Sequence, residues 1–324
     1  MQVVAVHPGS DLFDAFLDFL PSSKEGTRRE LSSENPFFSH GQAQAFVCLE
    51  GANVIGRIVA SIDDRRVDEP GAGHFGYFEC IESTQAARRL LKSALSWVRS
   101  KGRQSIEGPV DLNIWTRYRI QVSGFEQESY LGEPRSPPYY ARLLEACGLR
   151  ERMRWHSYDF DRAELADICD CFSHRRASKY KATELRRVPW NHDDLYDAVM
   201  GSWSGNYGFS DIEASEFSRA LAPLLEILDP AQCFFFRDAT SVCAFGIGHL
   251  DPKPRRAIIK AYGIIPAYRK THLIHEILRD LTWHALAVAR LPAVLSLATE
   301  HNDPWRRFKT PTRVHAIYGK NLAV

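Results

Sequence analysis

The sequence predicts a mixed α/β fold of two tandem domains, residues 1–161 and 162–324, each with a mostly antiparallel sheet flanked by helices. The chain has 324 residues, about twice the length of a common single domain. Its apolar fraction of 44% and charged fraction of 25% are ordinary for globular proteins, so each half can bury a core. The third observation is a repeat, because both halves show the same order of predicted elements.

In each half, helices and antiparallel strands precede a strand that leads into a long amphipathic helix. In the first half, that helix has an apolar stripe from Ala87 to Val98, with Ser83 or Thr84 as N-cap and Gly102 at its end. The other predicted elements of this half are strands at 3–6, 43–49, 54–62, 73–80 and 155–160, a short strand and turn at 105–109, and helices at 11–20, 24–32 and 139–147.

The second half repeats this order. Its long helix follows Pro266 and has an apolar stripe from Leu273 to Val288. A short helix at 303–308 and a final strand at 314–318 close the chain. The other predicted elements are helices at 162–173, 192–203 and 214–228 and strands at 233–237, 242–250, 257–265 and 293–298.

The composition narrows the possible environment and partners. A formal net charge of +1 gives no overall attraction to nucleic acid or to a membrane surface. No window approaches the roughly 18 apolar residues of a membrane span, and the first residues show no basic leader. The seven scattered cysteines do not suggest a disulfide framework or a tetrahedral metal site. We therefore expect a cytoplasmic protein without membrane attachment or metal, of unknown oligomeric state.

Several segments resemble the GCN5-related N-acetyltransferase (GNAT) superfamily, and in particular bacterial proteins with two tandem GNAT-like domains. The resemblance covers nearly the whole chain, from about residue 30 onward. It implies an N-acyltransferase that moves an acyl or aminoacyl group to a small-molecule amine or another nitrogen nucleophile. The segments that carry it are Asn35–His40, Gly56–Ile58, Phe75–Glu79, Pro137–Tyr140, Trp203–Phe209, Gly263–Arg269, and Asn302 with Arg306 and Arg307.

The resemblance also indicates where an acyl donor would bind. GNAT enzymes hold the diphosphate of acyl-CoA at a helix N-terminus, in a loop of type R/Q-x-x-G-x-G/A, where backbone N–H groups and the helix dipole meet the anion. Here the matching stretch is Arg269–Ile274, in which His272 and Ile274 replace the two small residues. The first-half counterpart, Glu82–Ala87, has no glycine. The implied donor-binding residues are Ile264, Ile265, Arg269, Lys270, Thr271, His272 and Asn302.

Because this loop departs from the GNAT pattern, the sequence does not decide which acyl donor the protein uses. The donor is acyl-CoA held in a modified way, a phosphopantetheine-linked thioester on a carrier protein, or an aminoacyl-tRNA. The alternative is a GNAT-like protein that has lost transferase chemistry and binds a ligand or partner. A role in specialised metabolism is a further expectation. The basic residues between Arg175 and Arg187 are either a solvated connection or a surface for a phosphate-bearing partner.

GNAT chemistry needs a proton acceptor for the amine and a proton donor for the leaving thiolate. Glu79 and His40 are candidate general bases, although the sequence favours a solvated strand end for Glu79 and a structural hydrogen bond for His40. Tyr318 is a candidate leaving-group acid or an ordinary strand tyrosine. The acceptor side is predicted around the segment that follows the helix at 192–203: Trp203, Asn206 and Phe209 as substrate-binding residues, with Tyr207 as a catalytic candidate.

Overall fold

The structure is a computed structural model that describes residues 1–19, 24–174 and 185–322. The basic residues from Arg175 to Lys181 lie outside these ranges, whereas Arg186 and Arg187 begin a strand. No helix of the described residues is long and apolar enough to cross a membrane.

The first half contains seven strands and four α-helices among its described residues. A short 3-10 turn at Pro36–Ser39 precedes the second strand. The elements are β1 (Gln2–Val6), α1 (Asp11–Asp18), α2 (Lys24–Glu30), β2 (Gly41–Glu50), β3 (Asn53–Asp63), β4 (Ala72–Cys80), α3 (Thr84–Ser100), β5 (Ser105–Gly108), β6 (Ile120–Ser123), α4 (Tyr140–Ala146) and β7 (Arg150–Phe160).

The second half adds a further four helices and six strands in the described residues. Its last helix continues as a π-helical turn at His284–Ala289. The elements are α5 (Arg162–His174), β8 (Arg186–Pro189), α6 (His192–Trp203), α7 (Ala214–Leu225), β9 (Phe234–Arg237), β10 (Val242–Pro252), β11 (Arg255–Ile264), α8 (Leu273–Trp283), β12 (Ala293–Thr299) and β13 (Arg313–Asn321).

All thirteen strands form one sheet, in the order β1-β2-β3-β4-β5-β13-β7-β12-β11-β10-β9-β8, with β6 paired to β13. Two neighbouring pairs, β4 with β5 and β11 with β12, are parallel, and the other pairs are antiparallel. The predicted mixed α/β class is therefore confirmed.

The two halves exchange their closing strands, which makes the sheet continuous. The final strand β13 pairs with β5 of the first half, and β7 of the first half pairs with β12 of the second. The sequence predicts one sheet in each half, and this exchange of strands joins the two into one. The boundary between residues 161 and 162 stays a prediction.

Local sequence signals explain the two long helices. Ser83 caps α3 by accepting a hydrogen bond from the N–H of Ala86, and Leu90, Leu91 and Val98 of its apolar stripe are buried. This helix packs on β2 and β3, whereas α8 packs on α5, β10 and β11. Each fully buried leucine or valine side chain contributes about 1.5–3 kcal/mol.

The segment 303–308 differs from its prediction as a short helix. It forms turns, in which the Asp303 carboxylate accepts hydrogen bonds from the N–H groups of Trp305 and Arg306 at 3.1 and 3.3 Å. The same carboxylate also binds His156 and Tyr158 of β7. Trp305 is thereby held in the core, 1% exposed.

Candidate active site at the parallel strands of the second half

The parallel strands β11 and β12 are hydrogen-bonded over only three residue pairs, from Ala257–Ala293 to Ile259–Leu295. Immediately beyond, Lys260 is an extra residue on β11, because Ile259 faces Gly248 and Ala261 faces Ile247 of β10. On β12, pairing with β7 is interrupted between Leu295 and Ala298. Within this interruption Leu297 has a left-handed φ of 63°. The two strands therefore separate at the same level.

A cavity of about 540 Å³ opens at this separation. This volume falls within the roughly 300–1,000 Å³ of small-molecule sites. Residues 259–262 of β11 and 295–299 of β12 form its floor, and residues 114–119 and 132–134 of the first half form one wall. The opposite wall is mostly apolar, with Leu195, Val199 and Trp203 from α6 and Ala220, Leu221 and Leu224 from α7.

The equivalent cleft of the first half is filled by its own chain. Past the parallel pair β4–β5, the N–H of Val110 donates to the carbonyl oxygen of Phe75 at 2.7 Å. A Cβ atom at Gly76 would lie 2.1 Å from the carbonyl oxygen of Val110, so the two segments touch. Tyr77, with φ of 48°, donates its N–H to the carboxylate of Asp111. The segment after Asp111 then continues into the wall of the second-half cavity.

Tyr207 connects the cavity to a buried charge network. Its hydroxyl donates to the carboxylate of Glu107 on β5, which also receives a hydrogen bond from the guanidinium of Arg66. Burial raises the pKa of Glu107 above its ordinary value, although Arg66 and Tyr207 act in the opposite direction. Burial, together with Glu107, also raises the pKa of Tyr207 above its ordinary range, so its phenol is protonated at neutral pH.

Three cationic side chains line the same cavity: Arg117, which pairs with Asp111 at 3.0 Å, and Lys260 and Arg119, for which no ion pair is formed among the described residues. The side chain of Lys260 projects from the irregular position on β11, and burial with the nearby charge of Arg119 lowers its pKa to about 8. Arg119 lies on the first-half wall, with its guanidinium in contact with the rings of both Tyr118 and Trp155. Tyr262 is a third phenol of the lining, after Tyr207 and Tyr118, and its pKa is raised by burial and by Asp303.

Four residues predicted for the site line this cavity: Trp203, Asn206, Tyr207 and Asn302. The indole N–H of Trp203 donates to the carbonyl oxygen of Tyr262 at 3.2 Å, which ties α6 to the floor. Phe209 lies behind the wall instead, where its ring meets Trp115 edge-on at 5.8 Å.

The other three catalytic candidates lie away from the cavity. Both ring nitrogens of His40 face carboxylates, Nδ1 at 3.0 Å from Asp63 and Nε2 at 2.8 Å from Glu216. Glu79 accepts the hydroxyl of Tyr140 at 2.6 Å and contacts Arg117 at 3.4 Å. Tyr318 is buried in β13, and its hydroxyl is 3.1 Å from Glu151 and 3.4 Å from Glu145.

The predicted donor loop lies beyond the far end of β11 and does not line the cavity. Ile264 is buried, and the N–H of Ile265 donates to the carbonyl oxygen of Cys243 at 3.0 Å. Arg269 donates through Nε to Ile264 at 3.1 Å and through Nη2 to Ser202 at 2.8 Å, in both cases to carbonyl oxygens.

The helix start itself fits the diphosphate of CoA poorly. His272 is 3.1 Å from the carboxylate of Glu276, and the hydroxyl of Thr271 accepts the N–H of Leu273 at 3.3 Å. Lys270 is exposed, which leaves one cation of the loop without a protein partner in the described structure. The guanidinium of Arg269 is engaged by backbone, a carboxylate lies beside the first turn, and no glycine allows close approach.

Sequence reasoning missed Lys260, Arg119, Tyr118, Tyr262 and Trp155. One signal was present, since Lys260 is a charged residue inside the otherwise apolar run from Ala257 to Ile265. Arg119 belongs to a segment without hydrophobic periodicity, so no neighbouring residue indicated that it belongs to the site. Among the described residues, no group of three or more histidine, cysteine, aspartate or glutamate side chains is placed to hold a metal ion.

Comparison with known proteins identifies distant relatives. No family model matches the chain. It is 25% identical over 248 residues to protein YghO of Escherichia coli, covering 74% of this chain and 63% of that protein. It is 25% identical over 229 residues to a bacterial ceramide synthase of Caulobacter vibrioides, covering 66% and 58%. The matches thus span less than two thirds of either relative.

Among solved structures, a tandem GNAT protein from the clavulanic acid biosynthesis pathway aligns with 100% of this chain and 99% of its own. The TM-score is 0.57 and the sequence identity 14%, a likeness that shows the fold. The tandem GNAT fold predicted from the sequence is therefore confirmed.

Proposed function

We propose that this chain, which has the tandem GNAT fold, transfers an acyl group from a thioester to an amine in the cavity between β11 and β12. One observation carries the proposal: of the two parallel strand pairs, the pair in the second half opens into a cavity, and that cavity is lined by Tyr207, whose hydroxyl donates to the buried carboxylate of Glu107 behind it. The first half supplies a wall of the cavity and Glu107. The donor would therefore react in the second half.

The proposed chemistry needs little more than these two side chains. The amine nitrogen forms a bond to the thioester carbonyl carbon, and the carbon–sulfur bond breaks with its electron pair leaving on sulfur. The phenol of Tyr207 accepts a proton from the amine while passing its own proton to Glu107. The raised pKa of Glu107 suits a temporary proton acceptor. The proton then returns through Tyr207 to the thiolate, which restores the starting state.

The apolar wall favours substrates with an alkyl chain. Leu195, Val199, Leu221 and Leu224 offer a surface that a short polar amine would leave empty. The name of the Caulobacter relative, a ceramide synthase, agrees with this, because a ceramide is an amide with long alkyl chains. We therefore propose a long-chain acyl group, a long-chain amine, or both.

The poor fit of the α8 start favours a donor recognised by its pantetheine thioester over one held by its diphosphate. Carrier-protein thioesters and acyl-CoA share that thioester, and an aminoacyl-tRNA remains a further candidate. A location in the cytoplasm and a role in specialised metabolism stay predictions. The rival function is a non-catalytic binding protein, for which the same cavity would hold a ligand without turnover.

The test is direct detection of the amide product. Purified protein is incubated with acyl-CoA, acyl-pantetheine or acyl-carrier protein, each with C4 and C16 acyl chains, and with short-chain and long-chain primary amines. Mass spectrometry should find an amide, with the C16 acyl group or the long-chain amine preferred. If no combination yields an amide while thermal shift shows binding of the same ligands, the chain is a binding protein and the proposal fails.

A further inference from the structure

Two cationic side chains that line the cavity, Arg119 and Lys260, form no ion pair with a carboxylate of the described residues. Nε and Nη1 of Arg119 are buried and donate to no partner, and no hydrogen bond or ion pair joins its guanidinium to the rest of the described chain. Lys260 likewise has no hydrogen bond or ion pair through its ammonium group to any residue that the structure describes. Burying unpaired charge costs free energy, so such an arrangement calls for a ligand.

Arg119 is held in place by aromatic rings. The centre of its guanidinium lies 3.8 Å from the ring centroid of Tyr118 and 4.7 Å from that of Trp155. Cation–π contacts stabilise the charge in part and fix the plane of the group, yet they leave its N–H donors unused. Its φ of 71° is rare for an arginine, and strained backbone of this kind concentrates at functional sites.

The carboxylates of the surroundings are engaged elsewhere. Glu133, which lines the cavity, forms ion pairs with Arg313, 3.2 Å from its Nε, and with Arg135 at 3.8 Å, although neither of its oxygens has a hydrogen-bond partner among the described residues. Glu107 binds Arg66 and Tyr207, and Asp303 binds His156 at 2.7 Å. The two cations therefore repel each other, which agrees with the lowered pKa of Lys260.

We propose that Arg119 and Lys260 form an anion site that binds a carboxylate or phosphate carried by the substrate whose alkyl chain lies on the apolar wall. The ligand class is an amphiphile with one anionic group. This site is distinct from the donor loop, because Arg269–His272 do not line the cavity. The assignment of the anion to an acyl-transfer substrate rests on the proposed function, whereas anion binding itself does not.

Binding can be measured without turnover, because Trp115, Trp155 and Trp203 line the cavity and report on it by fluorescence. The probes are dodecyl phosphate, dodecanoate and dodecanol, all titrated below their aggregation limits. We expect the anions to bind about 10- to 100-fold more tightly than dodecanol, the usual range for charge-assisted hydrogen bonds. Tighter binding of dodecyl phosphate would identify phosphate as the group, and tighter binding of dodecanoate would identify carboxylate.

Variants test the two residues. Lys260→Met and Arg119→Met should each remove most of the preference for anions and leave dodecanol binding within about threefold, whereas Lys260→Arg should retain the preference. The control is Lys92→Met, which removes an exposed lysine of α3. If Arg119→Met does not fold, comparison of Lys260→Met with Lys260→Arg still tests whether the cation at this position binds the anion. Equal binding of dodecanol and both anions, or a preference that survives in Lys260→Met and Arg119→Met, would overturn the proposal.

The amide assay separates the two proposals. A protein that prefers anions but forms no amide retains the anion site and loses the acyltransferase assignment. A protein that forms amides but binds dodecanol as tightly as both anions loses the anion site alone.

Discussion

Nε2 of His40 lies 2.8 Å from Oε2 of Glu216, a hydrogen bond between residues 176 positions apart that joins the two halves. Nδ1 of the same ring is 3.0 Å from Asp63, and all three side chains are buried. Burial alone disfavours the imidazolium, but the hydrogen bonds and charges of Asp63 and Glu216 raise the pKa of His40 to about 9. His40 is thus a charged link between the halves at neutral pH.

This link predicts a loss of stability in mildly alkaline solution. The folded pKa of about 9 exceeds the ordinary value of about 6.5, so the stabilisation is complete below about pH 6.5 and disappears as the pH rises through 9. We expect the free energy of unfolding to fall by a few kcal/mol between pH 6.5 and 9.5. Urea unfolding at several pH values measures it.

His40→Gln is the control for this pH dependence. Lys260 titrates in the same range with the opposite sign, because its lowered pKa favours folding as the pH rises. Subtracting the curve of the variant from that of the unmodified protein removes this and other shared contributions. Parallel curves for the two proteins would show that His40 is not the charged link.

The Tyr207 hydroxyl should be essential for turnover. Tyr207→Phe removes the cavity-lining phenol that donates to the carboxylate of Glu107, so kcat should fall by about 10²- to 10⁴-fold, the range for general acid–base groups. KM for the donor should change little. The matched control is Tyr196→Phe on α6, whose hydroxyl only donates to the carbonyl oxygen of Ile212 at 2.8 Å. Equal kcat for both variants would remove Tyr207 from the mechanism.

The elements predicted correctly from sequence have local causes. The stripe and the Ser83 cap specify α3, and two apolar, β-branched runs separated by the turn at residues 51–53 predict the strands of the first hairpin. Trp203, Asn206 and Tyr207 lie beside one another because Trp203 ends α6 and the other two follow it within four residues. These signals lie within a few residues of one another, so one sequence is enough to read them.

The features that were not predicted depend on contacts between distant segments. Lys260 faces the cavity because β10 and β11 pair with one extra residue, which no spacing in β11 reveals. Arg119 reaches the second half because residues 109–119 fill the cleft of the first half. The exchange of β7 and β13 was also not predicted, because strand order depends on pairing between segments far apart in the sequence.

Gly76→Ala should destabilise the protein and damage the cavity together. Its Cβ would lie 2.1 Å from the backbone oxygen of Val110, so residues 110–119 would have to move, and they form the cavity wall. We expect the free energy of unfolding to fall by about 1–3 kcal/mol, which is typical of overpacking, and ligand binding to weaken. Gly71→Ala is the control, because its Cβ would meet only Gln104 at 3.7 Å. Similar thermal unfolding of both variants would contradict the filled cleft.

The last prediction concerns the donor loop. The guanidinium of Arg269 donates two hydrogen bonds there, to the carbonyl oxygens of Ile264 and Ser202. With its guanidinium engaged and Glu276 beside the first turn, the start of α8 should add little affinity for a diphosphate. Acyl-pantetheine should therefore approach acyl-CoA in kcat/KM to within about tenfold, or about 1.4 kcal/mol. Arg269→Ala should lower stability by about 1–3 kcal/mol through the lost hydrogen bonds and reduce kcat/KM equally for both donors. Steady-state kinetics with the two donors measures this. A hundredfold preference for acyl-CoA that Arg269→Ala abolishes would instead place the diphosphate on this loop.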